Sequence, residues 1–130
     1  MVQTDDLAGI WNCKYYYPSN EVLGTEEISQ YEVQAERTGN NLICQSLPTE
    51  SGSYILIKLL VEEPFASGSW TENTAPQGQF KGMIYSGVLQ LLIQPDRLSM
   101  TGKWVGIGRD IQNQRPDVYD GRWIFSRNSQ

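Results

Sequence analysis

The chain has 130 residues, 39% hydrophobic and 19% charged, with 10 Lys and Arg against 15 Asp and Glu for a net charge of -5. That length fits one domain over residues 1–130 that buries a core without staples, and the composition excludes a disordered or fibrous chain. The acidic sum repels phosphate backbones, so nucleic acid is not an expected partner.

The first residues, Met1 to Asp6, carry neither a basic start nor an apolar run, and read as something other than a signal peptide. The longest apolar stretch, Val88–Ile93, is broken by Gln90 and falls far short of a membrane span. Two cysteines without a signal point to a reducing cytoplasm, with Cys13 and Cys44 as buried thiols and a disulfide between them as the alternative.

Hydrophobic period two holds almost throughout, and turn residues recur at short intervals. The first strand is predicted over Gly9–Tyr17, ending at Pro18-Ser19-Asn20. Thr25–Arg37 follows, and Thr38-Gly39-Asn40-Asn41 makes a hairpin into Leu42–Leu47. Ser53–Val61 ends at Glu62-Glu63-Pro64, and Ser67–Asn73 at Ala75-Pro76-Gln77-Gly78. A long strand, Gln79–Ile93, contains Gly82 and Gly87 as candidate bulges or bends. Ser99–Gly108 comes next, then a longer loop over Arg109–Val118, then Tyr119–Arg127. No segment is left for a crossover helix, so the strands pair antiparallel. Closing an eight-strand meander removes its two sticky edges. The expected fold is therefore all-β, a closed antiparallel up-and-down barrel of about eight strands, with a sandwich as the alternative.

All four tryptophans stand two residues after a glycine: Gly9-Ile10-Trp11, Gly68-Ser69-Trp70, Gly102-Lys103-Trp104 and Gly121-Arg122-Trp123. Residues i and i+2 of a strand share a face, so each motif sets a gap beside a large ring. Placing the rings inside carries Cys13, Tyr15, Tyr17, Glu72, Gly106, Gly108, Tyr119, Phe125 and Arg127 inside with them, unless a bulge reverses the parity. Trp11 reads as core. Trp70, Trp104 and Trp123 read equally as core or as the wall of a ligand cavity.

The longer loops share one end of such a barrel, which makes that end the expected mouth. The other end brings Arg127 of the last strand to Trp11 of the first, a guanidinium stacked on an indole that closes the floor. An N-terminal Gly-x-Trp with an arginine on the last strand resembles the lipocalin and calycin group, which includes avidin-like barrels and fatty-acid-binding proteins. The resemblance implies a lipocalin- or avidin-like barrel capped at its closed end by Trp11 and Arg127. The connection Pro18–Gly24 is too short for the helical lid of a fatty-acid-binding protein, and no biotin site aligns. The stretches Gly68–Gly82, Tyr85–Leu91 and Ser99–Gly108 also resemble a little-characterised bacterial β-domain that follows helix-turn-helix segments in predicted regulators. That likeness implies a sensor or interaction module, although these 130 residues hold no helix-turn-helix pattern.

Histidine is absent, which removes Ser-His-Asp and Cys-His catalysis and the commonest transition-metal ligand. Gly102-x-x-x-Gly106-x-Gly108 matches neither a Walker nor a dinucleotide loop. The carboxylates of Glu26-Glu27 and of Glu62-Glu63 face opposite ways along a strand and form no acid/base pair. Glu72 is the one carboxylate that parity turns inward near the mouth; it is either a solvent-facing loop residue or an anchor for a polar ligand. Arg109 and Arg115, at the same end, would answer Glu72 or hold an anion. The expected function is non-catalytic binding of a small molecule, without a metal or cofactor, by Tyr15, Tyr17, Trp70, Glu72, Tyr85, Trp104, Arg109 and Trp123. The alternative is a packed barrel that docks a protein partner or a second copy.

Overall fold

The structure is a computed structural model and describes residues 7–18, 25–74, 84–109 and 116–127. It contains β1 (Gly9–Pro18), β2 (Glu26–Thr38), β3 (Asn41–Ser46), β4 (Tyr54–Glu62), β5 (Phe65–Asn73), β6 (Ile84–Ile93), β7 (Ser99–Arg109) and β8 (Pro116–Ser126). The strands pair in sequence order, every pair antiparallel, and β8 returns to β1 to close the barrel. An all-β, closed, eight-stranded up-and-down barrel is thus the observed architecture, as the turn spacing predicts, and the sandwich alternative falls away.

β4 shows why these residues form strands. Ile55, Ile57, Leu59 and Val61 alternate inward and are buried, while Lys58, Leu60 and Glu62 face solvent. Register is unbroken along every paired stretch, including both sides of β6 at Gly87. Gly87 is therefore neither a bulge nor a register break: a methyl group there would sit 2.0 Å from the Val105 carbonyl oxygen, so it marks a close approach of β7 instead. With no bulge to reverse it, the inward parity of each tryptophan runs the length of its strand.

Three strands begin earlier than the sequence predicts, β3 by a single residue at Asn41 and β5 and β8 by more. Glu63-Pro64 joins β4 to β5 as a two-residue turn, so Glu62 pairs directly with Phe65. β8 pairs with β7 as far as Arg109 opposite Pro116, since a proline is tolerated at the first residue of a strand. The predicted segment Gln79–Gly82, with the bend at Gly82, lies outside the described residues.

The floor is built from Leu7, Trp11, Met100 and Phe125, all fully buried. The Trp11 indole N–H donates to the Leu7 carbonyl at 2.9 Å, and the Arg127 guanidinium lies 4.1 Å over the Trp11 ring. Arg127 also donates to the Ala8 and Arg97 carbonyls, each at 3.0 Å. Gly9, at φ 119°, takes a backbone conformation that favours glycine directly beneath that guanidinium.

The glycine–tryptophan motifs interlock. On β7 and β8, Gly102 stands opposite Trp123 and Trp104 opposite Gly121; the Trp104 ring fills the gap at Gly121, while Gly102 admits the Gln90 carbonyl of β6. Trp70 stands opposite Gly87, and its ring reaches Gly106 of β7, where a methyl group would come within 2.4 Å of it.

Candidate functional site

β1, β2, β4 and β6 each bring a residue to Glu72 of β5. This glutamate lies on β5 between Ile55 of β4 and Tyr85 of β6, and is only 6% exposed. Its carboxylate accepts a hydrogen bond from Tyr15 of β1 at one oxygen and from Tyr31 of β2 at the other, the latter at 2.5 Å. Glu72 is thus a buried strand residue; the solvent-facing loop reading does not hold. Among the described residues it is the one buried charged side chain.

Burial pushes the Glu72 carboxyl above its ordinary range, against the pull of the two phenol donors, which favour the anion. Burial, and next the Glu72 charge, push the Tyr15 and Tyr31 phenols far up, so both stay neutral donors at physiological pH. Tyr17 and Tyr85 are raised too, by burial first, and both feel the Glu72 charge. Tyr17, Tyr85 and Tyr119 are half-buried and pack on the core.

Beneath these groups the barrel is filled with rings. Tyr15 lies 4.9 Å from Trp123, 5.8 Å from Trp104, 6.4 Å from Trp70 and 5.8 Å from Tyr17, centroid to centroid. Trp70 meets Trp104 edge-on at 5.5 Å. The indole N–H groups are spent within the protein: Trp70 donates to the Val88 carbonyl, Trp104 to the Tyr16 carbonyl, and Trp123 to the Cys13 sulfur. The three tryptophans therefore present ring surface to the interior, and their polar atoms are directed into the wall.

Of the residues the sequence nominates, Tyr15, Tyr17, Trp70, Glu72, Tyr85, Trp104 and Trp123 come together in this way. Trp11 and Arg127 lie apart at the floor. Arg109 ends β7 opposite Pro116, and its side chain lies outside the described residues, as does all of Arg115. Tyr31 is the contact the sequence reading misses. Its signal is the alternation of β2, where Tyr31, Val33 and Ala35 are buried between exposed or half-buried Glu32, Gln34 and Glu36.

Cys13 and Cys44 are both free and buried. Burial pushes the Cys44 thiol up to about 12 and Cys13 higher still, so neither is a thiolate at neutral pH. Among the described residues no three His, Cys, Asp or Glu side chains gather as metal ligands. Among the described residues no helix is long and apolar enough to cross a membrane. No protein-family model, curated protein or solved structure shows significant similarity to the chain.

Proposed function

We propose that this barrel is a non-catalytic, sensor-type binder of a small molecule, which enters at the mouth and rests on Tyr17, Tyr85 and the Glu72 carboxylate. The observation that carries the reading is Glu72 itself. A barrel needed only as a packed scaffold would place an apolar side chain there, because an interior carboxylate without a cation is destabilising. Local rules of stability are broken mainly at functional sites. The Trp11–Arg127 floor supports kinship with lipocalin- and avidin-like barrels, whose interiors take one small ligand. Free, buried thiols fit work in a reducing compartment such as the cytoplasm.

A fragment screen read by tryptophan fluorescence tests the proposal, since Trp70 and Trp104 lie beneath the site. Binders should be found, and Tyr85→Ala should weaken them about ten-fold or more with the fold retained. Full affinity in that variant, or no binder at all, contradicts the site. Trp104→Ala is the poorer probe, because emptying a buried indole costs about 3–5 kcal/mol and endangers the fold.

A second reading has its own observation. On the outer face Val88 pairs with Val105 and Ile107 with Val118, and these side chains are 46–65% exposed. An apolar strip of this kind suits a protein partner or a second copy. Sedimentation that shows a monomer at high concentration, unchanged by Val105→Lys, removes self-association.

A further inference from the structure

We infer that the ligand is an organic cation, an ammonium, amidinium or guanidinium group on a compact or flat body, held by Glu72 within a cage of tyrosine rings. This rests on the binding reading above and narrows it to one chemical class.

Three features of the interior carry it. The first is charge. Glu72 is the buried charge among the described residues, and no described lysine or arginine forms an ion pair with it. The ion pairs seen, Arg97 with Glu63 at 2.5 Å and Arg122 with Glu26 at 3.5 Å, belong to the outer surface. The second is hydrogen-bonding capacity. A carboxylate offers about four acceptor sites, and the Tyr15 and Tyr31 hydroxyls occupy only two of them. On the donor side, all four indole N–H groups and both of those phenols are already committed. Among the described residues Glu72 therefore keeps acceptor capacity to spare, which suits a ligand that donates. The third is the aromatic wall. The faces of Tyr15, Tyr17, Tyr85 and Trp70 carry negative quadrupole density, which attracts a cation placed against them. An anion would meet the carboxylate and the ring faces together, and both repel it.

The partners divide the work. Tyr15 and Tyr31 hold the two carboxylate oxygens from β1 and β2, across the barrel from β5, so Glu72 is oriented before any ligand arrives. Tyr85, the register neighbour of Glu72, and Tyr17, tilted against Tyr15 at 5.8 Å, lie beside the carboxylate as half-buried walls.

The test uses the full chain and three isosteric probes: benzamidinium, benzamide and benzoate. Calorimetry and tryptophan quenching should show benzamidinium binding about ten-fold or more tightly than either of the others, the worth of one charge-assisted pair. In Glu72→Gln that preference should collapse to about two-fold, with the near-ultraviolet dichroism of the folded barrel retained. If Glu72→Gln does not fold, Glu72→Asp takes its place. It keeps the charge but withdraws it by one methylene, and should weaken benzamidinium while leaving benzamide unchanged. Benzoate or benzamide binding as tightly as benzamidinium overturns the inference, as does a cation preference that survives Glu72→Gln. Failure of all three probes also overturns it. In that event a wider screen that yields neutral or acidic ligands sensitive to Tyr85→Ala preserves the binding reading, whereas a screen that yields nothing removes that reading too.

Discussion

Glu72 couples the chemistry of the mouth to the stability of the barrel. Burial raises its folded-state pKa above the ordinary value of 4.5, so the native state favours the protonated form. The sign of the pH dependence follows. The contribution of Glu72 is most favourable below its unfolded value and is lost as pH rises through the raised folded value, so the charged group works against folding at neutral pH. Glu72→Gln should therefore melt higher than the native protein at neutral pH, with the gap closing in acid, as thermal melts at both pH values would show. A neutral-pH Gln variant that melts lower would make the carboxylate a structural element. Tyr31→Phe removes one of the two donors. It should destabilise the fold by about 1–3 kcal/mol at neutral pH and less in acid, where Glu72 is protonated.

Between elements, the seam from β8 to β1 is where the glycine–tryptophan motif has its clearest effect. The ladder there covers Asn12 to Tyr15. Beyond it, the Tyr16 carbonyl accepts the Trp104 indole N–H at 3.0 Å, reaching from β7 past Gly121 of β8. On the outside, Arg122 lies 4.1 Å over the Tyr16 ring. A methyl group on Gly121 would sit 2.0 Å from that carbonyl and 2.8 Å from the indole nitrogen. Gly121→Ala should thus cost about 1–3 kcal/mol by overpacking, measured by denaturant unfolding. Gly39→Ala, at a hairpin with φ 61° and open space around it, should cost about 1 kcal/mol through backbone strain alone. A Gly121→Ala variant as stable as the native protein would show that the seam tolerates the methyl group. The alternation that places Trp11, Trp70, Trp104 and Trp123 inside is legible in the sequence, because period two is local and no bulge interrupts it. The reciprocal pairing of Gly102 with Trp123 is not, since it depends on how β7 and β8 slide against each other. The Tyr31–Glu72 contact lies deeper still: it spans the barrel from β2 to β5, and its geometry comes from strand tilt and closure. Arg127 over Trp11 could be anticipated because closure itself places the end of β8 beside the start of β1.

For the molecule as a whole, β8 returns to β1 and closes the barrel, and the interior divides into a filled floor and an aromatic middle below the Glu72 site. Cys13 and Cys44 belong to that filled part, so a thiol reagent should label them only on unfolding, and melting should be indifferent to reductant. Labelling in the native state would mean that the barrel opens locally. The central claim is that the mouth around Glu72 holds a small ligand, and native mass spectrometry of the protein recovered from its own cell lysate tests it most directly. A reproducible added mass per chain, absent from Glu72→Gln and Tyr85→Ala recovered in parallel, is the expected result. The same bare chain mass in all three proteins, or an adduct equally abundant in both variants, would contradict it.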